Sequence, residues 1–376
     1  MIKSIEIDNF KSLVDFKLEL AKFNCIVGLN GVGKSTLLQA LDFLSQLMHG
    51  DIKGWLERRQ WGTSDLNSKL IKRSNIEFKV IVESEGVEIS WSGSFNRTSL
   101  RCTKESVVCG EKRQLGVDEG ALSLNGPRQH IFFDYQGSIL SGLKEELLSG
   151  ELKALKSQMI NIRSLDLISP EQLRNRTRSA EGKLGLGGQH LSALIHEQGP
   201  VAQRKLRDAL SAVYPQLAAI NTKSLTSGWK HLEVTEQFGN KSLVSSARHM
   251  NDGMLRLMAI LLQIEVGGEM LLFDEIENGI NPELVEYLMD KLVSAKDQVL
   301  VTTHSPMILN FIEDNIAKEG ITCLYKTEEG HTKAIRLFDI PSMAQKLDFM
   351  GPGEAFIDTD LTELHKEIQL IRLIGA

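Results

Sequence analysis

An α/β fold built on buried parallel strands is what this 376-residue sequence predicts, and three segments predict it. Gly28-Leu29-Asn30-Gly31-Val32-Gly33-Lys34-Ser35 fits the Walker A pattern at every fixed position, follows the apolar stretch Phe23 to Val27, and opens a helical pattern from Lys34 to Met48. Met270 to Phe273 is an apolar run that ends in Asp274 and Glu275, and Val299 to Thr303 is a second that delivers His304. Short apolar runs of this kind read as buried strands, whose C-terminal edges are where open parallel sheets bind ligands.

The residue types fit phosphoryl chemistry. Glycines let consecutive backbone N–H groups face phosphates, the helix start adds partial positive charge, and Lys34 adds a full one. Ser35 is the expected Mg²⁺ ligand. Asp274 is expected to partner the same ion, directly or through an intervening ligand, and Glu275 to act as base or to position the attacking water. Read alone, the two acids would be ordinary strand-end polar residues and His304 as readily structural as functional. Beside the Walker A motif, His304 is expected to sense the γ-phosphate.

Further motifs carry a family resemblance. Asn251-Asp252-Gly253-Met254 precedes a helical pattern, Glu277-Asn278-Gly279-Ile280-Asn281-Pro282 follows the paired acids, and Thr302-Thr303-His304-Ser305-Pro306 closes the set. With Walker A, they resemble an ABC-type ATPase of the SMC/RecF/OLD-like branch. Asn9-Phe10-Lys11-Ser12 is similar to the opening strand and turn of such heads, and Gln136 to Leu140 resembles their Q-loop.

The resemblance implies an ABC-type P-loop NTPase head with a mixed central sheet, an antiparallel β-layer and a helical insertion. It implies ATP and Mg²⁺ as cofactors. Lys11, Gly28, Asn30, Gly31, Gly33, Lys34, Ser35, Thr36 and Asn278 would line the nucleotide, with Gln136 touching Mg²⁺ and the attacking water. Asn251 and Gly253 would complete the γ-phosphate site of a second subunit. Asn251 stands where serine is usual, and Asn281 where relatives often carry histidine or aspartate. Gln136 read by itself is a loop residue.

Along the chain, Ile2 to Ile7, Phe16 to Leu20 and Phe23 to Val27 read as strands, and Glu85-Gly86 as the turn of a hairpin between Ile76–Val82 and Val87–Trp91. Short strands are expected on through Ile131 to Tyr135. Residues 139 to 214 read as mostly helical, without the sustained heptads of a long coiled coil. Trp229–Thr235 and Ser242–Ser245 read as strands, Asp252–Glu265 as the signature helix, and Ile321–Leu337 as a hairpin before a terminal helix near Leu361–Leu373. The expected organisation is a lobe at 1–140 with Walker A and the β-layer, a mainly helical insertion at 141–240, and a lobe at 241–376 with the signature, Walker B, D-loop and switch histidine.

Composition is that of a globular protein, 42% hydrophobic and 24% charged. No apolar run approaches the roughly 18 residues that span a bilayer, and Met1 to Ile7 enters a strand pattern without the features of a secretory signal, so a cytoplasmic protein without a membrane is expected. Cys25, Cys102, Cys109 and Cys323 form no CxxC pair and read as reduced thiols. The formal net charge of −6 gives no global pull toward nucleic acid, so such contact would need a local basic surface. Arg163, Arg174, Arg176, Arg178 and Lys183, running into a glycine-rich loop at 182–188, are either a solvated connection or a phosphate or partner contact. Glu354, Asp358 and Asp360 invite comparison with a nuclease metal site, but the apolar run before them is very short and they read as ordinary surface acids.

These observations lead to an ATP-binding and hydrolysing switch that forms an ATP-dependent homodimer and controls a separately encoded nucleic-acid or nuclease-like effector, in the manner of bacterial antiphage or toxin systems. The isolated chain is expected to cut no nucleic acid. A RecF-like repair clamp that grips DNA directly and a non-hydrolysing ATP-dependent scaffold are the alternatives, and a transporter subunit ranks last.

Overall fold

The computed structural model describes residues 1–118, 120–165 and 168–374, which fall into two compact units. The first joins 1–163 to 313–376, and the second is 164–312. Chain order in the first segment is β1 (Ile2–Asp8), β2 (Phe16–Glu19), β3 (Phe23–Val27), α1 (Lys34–His49) and α2 (Ile52–Arg59). Then come β4 (Asn75–Ser84), β5 (Val87–Asn96), β6 (Arg101–Cys109), β7 (Lys112–Asp118), β8 (Ala121–Leu124), β9 (Gln129–His130), α3 (Ile139–Gly142), α4 (Gly150–Ile160) and β10 (Ile162–Leu165).

An eight-stranded antiparallel sheet in the order β2-β1-β4-β5-β6-β7-β8-β9 dominates this unit. Its alternating patterns bury one face: Ile76, Phe78, Val80 and Val82 of β4 point into the core while Glu77 and Glu83 do not. Glu85 and Gly86, both at positive φ, form the tight turn between Ser84 and Val87, where glycine adopts that conformation freely. Strand pairing ends at His130, so the run expected at 131–135 is not a strand. Phe132, Phe133 and Asp134 are exposed there, and the Tyr135 hydroxyl donates to Cys102 O instead.

The second unit carries α5 (Pro170–Leu173), α6 (Leu191–Ser211), β11 (Leu217–Ser224), β12 (Lys230–Phe238), β13 (Lys241–Ser246), α7 (Asp252–Val266), β14 (Met270–Phe273), α8 (Pro282–Val293) and β15 (Gln298–Thr302). The β14 and β15 strands pair in parallel, every residue buried on both faces, as continuous apolar runs dictate. A separate antiparallel sheet, β11-β12-β13, packs beside α6. The helix of 139–214 comes in separate pieces, α3 to α6, rather than as a long run. Asn161 ends α4, a short strand follows, and α6 is broken at Gly199-Pro200, where φ is 76° and proline can only restart a helix.

The chain returns to the first unit through α9 (Asp314–Gly320), β16 (Ile321–Lys326), β17 (Thr332–Arg336), α10 (Pro341–Leu347), α11 (Pro352–Ile357) and α12 (Leu361–Ile374). β16 runs parallel to β3 and antiparallel to β17, which sets this late hairpin beside the Walker A loop. The described helices include none long and apolar enough to cross a membrane.

Candidate nucleotide site

In the first unit, β3 ends at the Walker A loop and α1 begins at Lys34. Gly28, Gly31 and Gly33 all hold positive φ. A Cβ at Gly28 would stand 2.5 Å from Leu324 O, and one at Gly33 would stand 2.6 Å from Thr332 Oγ1, so neither position accepts a side chain without displacement. Gly33 caps α1 with no side-chain hydrogen bond, which leaves the first N–H groups of that helix for a ligand. Lys34 is buried, and its ammonium donates to Gly28 O at 2.7 Å and Leu29 O at 3.1 Å, curled over its own loop. Ser35 and Thr36 are half-buried in the first turn, and Asn30 is exposed at the loop tip.

Two hydroxyls brace this loop. Thr332 Oγ1 donates to Val32 O at 2.6 Å and so spends its one proton there. Ser12 Oγ, 2.8 Å away, must then be the donor to Thr332 Oγ1. Thr332 N–H also donates to Ser12 O at 2.8 Å, tying β17 to the turn that follows β1. Asn9 in that turn is fully buried, its amide donating to Arg73 O and Asn75 O and accepting from Ser68 N–H. Ser12 belongs to the motif Asn9-Phe10-Lys11-Ser12, but nothing in a strand threonine 300 residues away in the chain marks Thr332 as a loop brace.

Lys11, at φ 49°, donates to Gln39 Oε1 at 2.8 Å and lies 3.4 Å above the Trp61 ring. Gln136 accepts from Lys53 N–H at 3.0 Å, so its side-chain oxygen serves the first turn of α2. The next residue, Gly137, sits so close to α1 that a Cβ would come within 2.3 Å of Leu47 O. Glu105 anchors the same loop from below: it accepts from Ser138 Oγ, from Ile139 N–H at 2.9 Å and from Trp91 Nε1 at 2.8 Å. Burial pushes the Glu105 carboxyl above its ordinary range, against the opposing pull of those donors.

The second unit holds the acids. β14 delivers Asp274 and Glu275, and Thr302 at the end of β15 binds both, donating to Asp274 Oδ1 and accepting from Glu275 N–H at 2.9 Å. Glu275 takes φ 46°, a conformation that non-glycine residues adopt at a cost. Its Oε1 lies 3.3 Å from His304 Nε2, and its Oε2 accepts from Asn278 Nδ2 at 3.3 Å. Glu277 Oε1 accepts from the backbone N–H groups of His304 and Ser305, at 2.8 and 3.1 Å, and so fixes the turn that presents the histidine.

Arg256 ties the signature helix to this turn. Its guanidinium is buried and donates to Asp274 O at 3.1 Å and Glu275 O at 2.8 Å. Burial lowers its pKa while Glu275, Glu277 and Asp274 raise it again. Asn251 caps α7, its side-chain oxygen accepting from Met254 N–H at 2.7 Å, which leaves its NH₂ as the donor half. A Cβ on Gly253 would meet Gly279 O at 2.9 Å, so the signature glycine lies directly against the D-loop backbone of the same chain. Neither Arg256 nor Glu277 was singled out from sequence as a site residue, although Arg256 stands three positions beyond Gly253.

Elsewhere, Asp358 pairs with Lys346 at 3.1 Å, Glu354 accepts from Gly351 N–H at 3.3 Å, and Asp360 from Glu363 N–H at 3.4 Å. These acids serve helix ends and a surface ion pair. The four cysteines form no disulfide with one another, and burial pushes the Cys323 thiol up to about 12.

A model described as an AAA ATPase domain matches residues 1–163, and one described as an AAA domain, putative AbiEii toxin of a type IV TA system, matches 144–310. The structure aligns with the SMC head bound to the C-terminal winged-helix domain of ScpA at a TM-score of 0.56 and 16% identity, covering 89% of this chain and 96% of that one. It also aligns with the Smc head with an extended coiled coil bound to the C-terminal domain of ScpA from Pyrococcus furiosus, at 0.52 and 13%, covering 92% and 99%. The fold is that of an SMC head. Among curated proteins, the OLD nuclease of Thermus scotoductus is 32% identical over 34% of this chain and 21% of its own length. The phosphonates import ATP-binding protein PhnC of Lactobacillus acidophilus is 32% identical over 22% of this chain and 37% of its length. The chain thus spans well under half of either relative. Together these matches show similarity to AAA ATPase domains along residues 1–310, on a fold shared with SMC heads.

Proposed function

We propose that this chain binds ATP with Mg²⁺ and hydrolyses it, and that nucleotide state switches the protein between monomer and head-to-tail dimer. The observation that carries the reading is the pinned carboxylate pair: Thr302 orients Asp274 and the Glu275 backbone together, and His304 stands against Glu275. The donor set fits the cofactors. A helix start without a side-chain cap, glycines whose missing Cβ atoms leave backbone N–H groups open, and Lys34 suit a polyphosphate. The Ser35 hydroxyl and the Asp274 carboxylate are hard oxygen donors of the kind Mg²⁺ takes. Bound Mg²⁺ would neutralise phosphate charge. Lys34 and the loop N–H groups hold the phosphates, Glu275 accepts a proton from the attacking water, and His304 orients Glu275 and reads the γ-phosphate.

Asn251 and Gly253 would act on the nucleotide of a partner chain, so that each site is complete only in the dimer. The output is a separately encoded effector acting on nucleic acid, in a defence or toxin setting. The family model named for a putative AbiEii toxin and the OLD nuclease relative support that setting.

The test is Glu275→Gln beside Lys34→Ala. Glu275→Gln keeps ATP affinity while phosphate release falls by about 10²–10⁴-fold, the usual worth of a general base. Lys34→Ala loses ATP binding itself. Wild-type turnover in Glu275→Gln would remove the carboxylate from the reaction.

A further inference from the structure

The arginines between 174 and 178 are gathered rather than scattered. Arg174, Arg176 and Arg248, with the Trp229 ring and Leu225, line a cavity of about 710 Å³ within the second unit. That lies inside the size range of small-molecule sites, about 300–1,000 Å³. None of its described lining residues is acidic. In a chain of net charge −6, this concentration of arginine is a local field that the average surface does not provide.

One of these arginines is held in position by a directed chain of contacts. Arg176 Nε donates to His231 Nδ1 at 3.1 Å. Since Nδ1 accepts, the His231 proton resides on Nε2, which faces Glu233 Oε1 at 3.5 Å. Burial and the Arg176 charge hold the imidazole below its ordinary pKa, so it remains the neutral acceptor that this arrangement needs. The Arg176 guanidinium is thereby gripped by its Nε edge alone, and its two terminal nitrogens have no protein partner among the described residues. Such a fork is the geometry that takes two phosphate oxygens at once.

The opposite chemistry lies beside it. Trp229 is 40% exposed, and the Arg178 guanidinium stands 5.3 Å from its ring, a stacked arrangement that stiffens an otherwise mobile indole. An exposed, stiffened tryptophan next to paired arginines is what a base stacked above its own phosphate requires. An acidic peptide would use the arginines and leave the ring without a role.

We propose that this cavity binds a base-plus-phosphate unit, with Arg176 and Arg248 on the phosphate and Trp229 stacked against the base. The unit comes from one of two sources, a free nucleotide or the phosphorylated end of a nucleic-acid strand. Arg174 serves a different purpose. It pairs with Asp252 and donates to Met250 O at 2.8 Å, so it joins the cavity wall to the first turn of α7, and its removal would disturb that helix. This site stands independently of the hydrolysis reading, because its ligand is held by none of the Walker residues.

The experiment uses the full chain carrying Lys34→Ala, so that the phosphate loop contributes nothing to the signal. The probe is a 5′-phosphorylated thymidine dinucleotide labelled at its 3′ end, read by fluorescence anisotropy. Arg176→Ala and Trp229→Leu are each expected to weaken it at least tenfold, with Arg176→Lys recovering part of the loss and circular dichroism unchanged throughout. Competition by thymidine monophosphate assigns the site to free nucleotides; competition by the unlabelled phosphorylated dinucleotide alone assigns it to strand ends. Equal affinity for the unphosphorylated dinucleotide, equal competition by inorganic phosphate, or variants that bind as the parent does would each overturn the proposal.

Discussion

The Thr302 hydroxyl and the Asp274 carboxylate form one hydrogen bond that sets the direction of the acidic pair, because the same oxygen also receives the Glu275 N–H at 2.9 Å. Thr302→Val keeps the shape and the β-branch but removes the donor to Asp274 Oδ1 and the acceptor of the half-buried Glu275 N–H. The expected cost is about 1–3 kcal/mol of stability, visible as a lower urea midpoint. Turnover should fall by more than stability predicts at a temperature where the variant stays folded, since both acids lose their common reference. Wild-type turnover in a folded Thr302→Val protein would mean that Asp274 is oriented by something else.

Glu277 tests whether the histidine is presented or merely present. Its Oε1 holds the His304 and Ser305 N–H groups. Glu277→Ala should lower kcat by about tenfold, equivalent to about 1.4 kcal/mol on the barrier, while ATP affinity changes little. Equal loss of affinity and kcat would place Glu277 in nucleotide binding rather than in positioning.

Gly33 permits a sharp steric test. At φ 112°, with Thr332 Oγ1 2.6 Å from any Cβ, Gly33→Ala meets both backbone strain and a collision. ATP binding by isothermal titration should vanish or fall at least a hundredfold, and alanine is in any case a poorer residue than glycine at this N-cap. Thr332→Ala, which removes the brace on Val32 O without strain, should weaken binding less and raise proteolysis within residues 28–35.

The dimer is best read with Glu275→Gln, which should form an ATP-dependent dimer in light scattering, whereas Lys34→Ala stays monomeric with or without ATP. Substituting Gly253 is a poorer probe of a partner's site than its motif suggests. The 2.9 Å approach to Gly279 O means that Gly253→Asp also displaces the D-loop of its own chain, where Asn278 contacts Glu275. Dimerisation of Lys34→Ala on ATP would separate assembly from nucleotide binding.

Much of the frame was legible because local pattern and tertiary need agree. Continuous apolar runs gave β3, β14 and β15, Glu85-Gly86 gave the hairpin turn, and Asn251-Asp252-Gly253-Met254 announced the helix that follows it. What stayed hidden depends on contacts between distant segments. Thr332, Thr302 and Glu277 are short polar side chains whose partners lie 300, 28 and 27 positions away, and no periodicity encodes them. The strand expected at 131–135 failed because strand pairing stops at His130, and β11, which pairs with β12, was not read from sequence. Arg174 and Arg176 were legible as either a solvated connection or a phosphate or partner contact, whereas nothing in the sequence joined Arg248 to them until the fold set all three around one cavity.

The brace on the phosphate loop has a temporal meaning. Residues 28–35 leave a ribosome long before the hydroxyl that clasps Val32, which belongs to Thr332, 300 positions later, and before β16, one of the strands beside β3. Until that hairpin is synthesised and docks, the loop has neither neighbour, so a nascent chain cannot use nucleotide to stabilise its first half. Affinity for ATP should therefore arise as a late step in biogenesis, and ribosome-arrested chains that end before the hairpin should depend on chaperones rather than on ligand.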